Sequence, residues 1–276
     1  MKFNPATYSD FYTNGFSIIK LENLEPINRM RLRLEENITD FLLSNLKVKP
    51  DYLENNKLSD NDYSNLLQQI NELNINLNDF KIVSDNLESL FKPVLGENIA
   101  CAKTPRIRFV QKEESRVAFG MHSDTFYGDS FFDIAIWMQL TPDTSTPSLK
   151  VIPGSHIPFQ GKYTVKDGEK NWDSKFIKAK NIGLAYDPKV VDYDPASAID
   201  LVIPYGSVLI FFASLLHATY PHSSNIPRLS ADCRLTPLLL PPQFRKNKPG
   251  YWQPLYVTEI TQRILDCYPT SIDEIL

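Results

Sequence analysis

The sequence predicts a mainly β fold with flanking helices, in which a helical N-terminal region precedes an antiparallel core. Three observations carry this expectation. The first hundred residues place apolar side chains at helical spacing. From about Ala100 the texture changes to short apolar runs broken by Pro, Gly, Asp and Ser. Aromatic residues make up 12% of the chain, as expected where strands pack face to face.

Taken in order, Phe16-Ser17-Ile18-Ile19 reads as a short strand after the turn at Asn14-Gly15. Pro26 suits the first turn of a helix on which Ile27, Met30, Leu34, Ile38, Phe41 and Leu42 recur at helical spacing. A polar stretch, residues 47–62, separates it from a second helix around Leu66, Leu67, Ile70 and Leu73. Asn78 stands where it would cap a third, carrying Phe80, Val83, Leu87, Leu90 and Phe91, with Pro93 and Gly96 as its stop. Candidate strands then follow at residues 106–110, 133–140, 148–152, 198–202, 208–212 and 229–240, a pattern for an antiparallel sandwich or barrel. The long lysine-rich stretch between Pro153 and Pro195 has the length of a lid or binding loop.

A chain of 276 residues suits a single domain over residues 1–276. Residues 1–98 form its helical support and 99–240 its β core with a lid-like insert at 154–197; residues 241–276 form a C-terminal extension. The net charge of −4 offers no electrostatic footprint for nucleic acid. Three cysteines without CxxC spacing point to a reducing compartment with buried free thiols. The start, Met1-Lys2-Phe3-Asn4-Pro5, runs into polar residues without a secretion-signal core, and no apolar run reaches membrane-spanning length. The expected setting is cytoplasmic and the expected partner a small molecule, with neither nucleic acid nor membrane.

Of the four histidines, two sit in chemical contexts. In His122-Ser123-Asp124 an extended backbone points an imidazole and a carboxylate to the same side. The apolar run Gly206 to Phe212 leads through Ala213–Leu216 to His217. Two histidines and one carboxylate on one side of an iron ion leave three positions open. The ordinary role of a lone histidine beside an apolar strand is structural, so the metal reading needs a third element. Arg228-Leu229-Ser230, eleven residues after His217, supplies it: on a strand both polar side chains share a face and can grip a carboxylate. His156, in the turn Pro153-Gly154-Ser155-His156, reads as a loop-fixing residue.

In this order the motifs resemble the iron(II)/2-oxoglutarate-dependent oxygenases with a double-stranded β-helix (jelly-roll) core, most closely the phytanoyl-CoA hydroxylase-like branch. Val151-Ile152-Pro153-Gly154-Ser155-His156 looks like that branch's stretch after its second core strand. Gly206 to His217, followed by Pro221-His222-Ser223-Ser224-Asn225 and Arg228, looks like its distal metal segment. The run His122 to Ser130, with Trp137 beyond it, resembles oxygenases found with carbohydrate and aminoglycoside biosynthesis genes. The resemblance covers roughly residues 100–240.

The resemblance implies Fe(2+) held by His122, Asp124 and His217, with 2-oxoglutarate and O2 as cosubstrates and succinate and CO2 as products. It assigns the far carboxylate of 2-oxoglutarate to Arg228 and Ser230, with Arg234 as the next candidate. Gln139 and Arg108 are candidates for the near end of 2-oxoglutarate or for substrate, and Thr125, Trp137, His222 and Lys162 for substrate. Asp124 argues against halogenation, since related halogenases carry a small residue there. Hydroxylation, desaturation, ring closure and epimerisation stay open. The lysines and aromatic residues of 161–180 suit a small polar metabolite such as a sugar derivative or amino acid. The alternative is a non-catalytic metal-binding β-barrel, a sensor or sugar-binding module. A cupin-type enzyme fits less well, since it expects clustered histidines and a glutamate on one hairpin.

Overall fold

The computed structural model describes residues 8–73, 77–113, 120–142, 146–157, 163–167, 189–219, 222–240 and 251–267. Helix α1 (Tyr8–Asn14) stops at Gly15, whose φ of 83° lies in the left-handed region, and the chain enters strand β1 (Phe16–Lys20) at once. Helix α2 (Glu25–Phe41) has Pro26 in its first turn and buries Ile27, Met30, Leu34, Ile38 and Phe41 along one stripe. It passes into a single π turn, Leu42–Leu46. The polar stretch holds a four-residue helix, α3 (Tyr52–Asn55). Ser59 Oγ then accepts from the Asp62 amide to start α4 (Asp60–Glu72), which buries Tyr63, Leu66, Leu67 and Ile70.

The third expected helix is two helices, α5 (Leu77–Asp85) and α6 (Glu88–Leu95), and Asn78 lies inside the first instead of capping it. The apolar spacing continues across the break, so periodicity gives no sign of it. At the break Asn86 Nδ2 donates to the Ile82 carbonyl at 2.8 Å, a side chain competing with the backbone for a helical acceptor.

All six expected core strands are present, with ends shifted by a few residues. They are β3 (Arg106–Val110), β4 (Ile134–Gln139), β5 (Leu149–Val151), β8 (Ile199–Leu201), β9 (Ser207–Phe212) and β11 (Arg228–Pro237). Five more were not expected: β2 (Ile99–Ala102), β6 (Tyr163–Asp167), β7 (Lys189–Tyr193), β10 (His217–Thr219) and β12 (Trp252–Tyr256). Strands β6 and β7 pair with each other, so the ends of the lysine-rich insert form a ladder and not an open loop. Residues 168–188 lie outside the described residues. The C-terminal extension supplies β12, whose Trp252 is fully buried, and helix α7 (Glu259–Cys267).

The larger sheet runs β1-β9-β4-β11-β2-β12, and β3 also pairs with β11. Strand β11 organises it. One edge lies along β4, while the other is shared between β3 at Arg228 to Asp232 and β2 at Leu235 to Pro237. A second sheet, β10-β5-β8, faces it. Strand β4 shows the layering, because it is buried at every position. Its Ile134, Ile136 and Met138 pack with the helices. Ala135 and Trp137 pack with Leu149, Val151 and Leu201 of the second sheet. Two facing antiparallel sheets around a shared core make the jelly roll that the sequence predicts, and among the described residues they do not close into a barrel.

No described helix is long and apolar enough to cross a membrane. All three cysteines are free; Cys101 and Cys233 are buried as expected, whereas Cys267 is exposed on α7.

Candidate active site

His122, Asp124 and His217 come together: each offers a ligand atom, and those atoms lie within 4.8 Å of one another. The main chain makes this meeting. His122 N donates to His217 O at 2.9 Å and His217 N to His122 O at 2.8 Å, an isolated antiparallel bridge. Ser123 remains extended and Asp124 opens a short 3-10 turn, with the Ser123 hydroxyl accepting from Thr125 N. Both the Asp124 amide and the Ser123 hydroxyl donate to Ala213 O, at 2.9 and 3.0 Å. The HSD segment is thus pinned at two points to the segment that ends in His217.

His217 does not end the buried strand β9, as its sequence position suggests. After a turn it opens β10 in the second sheet, opposite Val151 of β5. The Pro153–His156 turn holds that crossover, because Ser155 Oγ accepts from Leu216 N at 2.8 Å. His156 fixes the loop: Nε2 meets Tyr12 O at 2.9 Å and the ring stacks on Phe212.

Each candidate imidazole points Nδ1 at a backbone carbonyl, His122 at Gly120 O (2.7 Å) and His217 at Leu215 O (3.0 Å). A carbonyl only accepts, so Nδ1 carries the proton and Nε2 keeps the lone pair that a metal needs. Burial, reinforced by the neighbouring His217, pushes the His122 pKa down to about 3, and burial lowers that of His217. Both rings are therefore neutral at pH 7. For Asp124 burial works upward, but Arg234 foremost, then His217 and His122, hold the carboxyl well below the usual range. Two neutral imidazoles and one carboxylate suit a divalent transition metal, and the donor set fits ferrous iron. Among the described residues no other trio of His, Cys, Asp or Glu could hold a metal.

Along β11 the side chains of Arg228, Ser230, Asp232 and Arg234 alternate onto one face and line the same cavity as His122 and His217. Arg108, Trp137, Ser148, Leu149, Phe211 and Thr219 complete the wall. Arg228 is buried, with Nη1 donating to Pro147 O at 3.4 Å. Desolvation, with Arg108 adding to it, lowers its pKa to about 10, which leaves it cationic at pH 7.

The other sequence candidates divide. Trp137 and Arg108 line the cavity, Arg108 with its Nε 3.3 Å from Asp232 Oδ2. Gln139 is absent from that wall; it accepts from Ser148 Oγ at 2.6 Å and donates to Thr141 O. Thr125 also lies off the wall, its hydroxyl 2.7 Å from Ser123 Oγ. His222 is buried and absent from that wall, with Nε2 at Ile226 O (2.6 Å) and Nδ1 near Thr146 Oγ1, so its ring ties its own loop to the segment at Thr146. Lys162 lies outside the described residues.

The structure gives Arg234, expected only as a second choice for the 2-oxoglutarate carboxylate, a different set of contacts, and it adds Asp232, Ser148 and Thr219 to the wall. Arg234 meets Asp124 Oδ2 at 2.6 Å, Asp232 Oδ1 at 2.9 Å and Asp129 Oδ2 at 3.4 Å, all buried. The alternation that pairs Arg228 with Ser230 extends to Asp232 and Arg234, so the signal for these two was present. No comparable signal marks Ser148 or Thr219.

The family model described as phytanoyl-CoA dioxygenase (PhyH) matches residues 11–230. The chain belongs to that family. It is a non-haem iron, 2-oxoglutarate-dependent oxygenase. Among solved structures, a non-haem monooxygenase described as a ThoJ–Ni complex shares the fold of this family member. It has a TM-score of 0.50 and 13% identity, over 92% of this chain and 85% of that one. EctD from S. alaskensis with 2-oxoglutarate and 5-hydroxyectoine aligns at a TM-score of 0.52 and 15% identity, over 91% and 81%. No curated protein matches the chain.

Proposed function

We propose that this oxygenase oxidises a small polar metabolite, such as a sugar derivative or amino acid, by hydroxylation, desaturation or ring closure. We assign the iron to His122, Asp124 and His217, and the far carboxylate of 2-oxoglutarate to Arg228 with Ser230. One observation carries this reading: the two imidazoles and the Arg228–Ser230 pair line a single cavity. Bound ferrous iron supplies the oxidising chemistry that couples decarboxylation of 2-oxoglutarate to substrate oxidation.

The remaining work falls to the chain. The His122–His217 bridge sets the spacing of the two imidazoles, and the Nδ1 contacts fix their tautomers. Arg228, a desolvated cation on the cavity wall, suits a bidentate grip on a carboxylate. Arg108, Trp137, Ser148 and Thr219 give the substrate end an aromatic face and hydrogen-bonding groups, the mixture that small polar ligands use.

The test is succinate release by the iron-loaded protein across sugars, aminocyclitols, amino acids and acyl thioesters. Stimulation by a polar metabolite is expected. Fatty acyl thioesters as the best stimulants would overturn the substrate assignment, and no succinate under any condition would overturn turnover itself.

A further inference from the structure

We propose that Arg234 is a positioning residue that confines Asp124 to one-oxygen metal ligation, so that three positions stay open for 2-oxoglutarate and dioxygen together. The inference rests on the metal assignment above and adds a role for a residue outside the ligand set.

The three sides of the Arg234 guanidinium are each taken by a different carboxylate: Nη2 by Asp124, Nη1 by Asp232 and Nε by Asp129. A planar fork held at three points cannot swing away as a lysine ammonium would. Asp124 is held from both ends, its amide on Ala213 O and its Oδ2 on Arg234. Only Oδ1 is left toward the histidines, 3.9 Å from His217 Nε2. Two imidazoles and one oxygen fill three positions of a six-coordinate ion. A carboxylate binding through both oxygens would fill a fourth, leaving too few for a chelating keto acid and dioxygen together. Hydrogen-bond partners of metal ligands commonly have this kind of influence.

The experiment compares wild-type protein and Arg234→Gln, both full length, with thermal unfolding as the check on folding. Affinity for Co(II) is measured on each. Ferrous protein is then titrated with 2-oxoglutarate, following the visible charge-transfer band that chelation produces. Expected for Arg234→Gln is Co(II) affinity equal to or tighter than wild type, with the 2-oxoglutarate concentration at half-development of the band raised about tenfold or more. An unshifted titration in a folded variant overturns the proposal, as does a parallel loss of Co(II) binding, which would make Arg234 a purely structural ion pair. If Arg234→Gln fails to fold, a crystal structure of wild-type protein with Mn(II) decides. One Asp124 oxygen on the metal and the other on Arg234 supports the role; two oxygens on the metal overturn it. A wild-type protein that never develops the band would instead sink the metal assignment, which keeps the two failures apart.

Discussion

His122 and His217 exchange backbone hydrogen bonds at 2.9 and 2.8 Å, which registers two imidazoles from distant parts of the chain by main chain alone. Their ring centroids stand 4.3 Å apart. Because the bridge uses no side-chain atom, His217→Ala should keep it. Expected is a stability change within about 2 kcal/mol, as for most single substitutions. Co(II) affinity should fall by more than roughly 100-fold, beyond what hydrogen-bond partners of ligands cost. Calorimetric titration and thermal unfolding on the same sample separate the two. Undiminished affinity removes His217 from the ligand set.

Arg228→Ala removes a forked, charge-assisted contact worth about 1.5–3 kcal/mol, so the 2-oxoglutarate concentration for half-maximal turnover should rise roughly ten- to a hundredfold. Arg228→Lys should recover only part of this, since an ammonium lacks the planar fork. Initial rates of succinate formation against 2-oxoglutarate check both. Equal cosubstrate dependence in all three proteins shows that the far carboxylate sits elsewhere.

Asp133 gives the fold a pH dependence. Burial, with the Asp129 carboxylate adding to it, raises its pKa to about 7. The folded value lies above the unfolded one, so its contribution is fully present below about pH 4 and is lost as pH rises through 7. Between pH 5 and 8 the loss is on the order of 2–3 kcal/mol. Asp133→Asn, which has no titrating proton to lose, should flatten that slope in urea unfolding at the two pH values. Parallel slopes in the two proteins would show that Asp133 is not the titrating group.

Gly15 is fixed by space as well as by conformation. A Cβ there would lie 2.4 Å from His156 Nδ1, and φ is 83°. The His156 ring has little freedom to retreat, being stacked on Phe212 and bonded to Tyr12 O. Gly15→Ala should cost about 2–4 kcal/mol in denaturant unfolding. In a His156→Ala background the same change should cost less, since only the backbone part remains. An identical cost in both backgrounds would remove the steric explanation.

What the sequence determined by itself was local. Alternating and continuous apolar runs marked the six core strands, Pro26 and the spacing from Ile27 to Phe41 marked α2, and the HSD segment was legible because extended backbone sends positions i and i+2 to one side. The face shared by Arg228 and Ser230 follows from the same rule. Tertiary structure decided what such rules do not reach. The short strands β2 and β12 become strands by finding places beside β11 and β2, and the helix break at Asn86 keeps its apolar spacing unchanged. Sequence gave His217 as the sequel to a buried strand, yet it opens β10 in the opposite sheet, held by Ser155 and bridged to His122. Arg234 repeats the Arg228 pattern along β11, but only the packing of the Asp124 turn against that strand gives it three carboxylates to hold. The physical reason is common to all of these. Propensity and periodicity act over a few residues, whereas a metal site and its supports are assembled by hydrogen bonds and ion pairs between segments far apart in the chain, and those exist only once the sheets have packed.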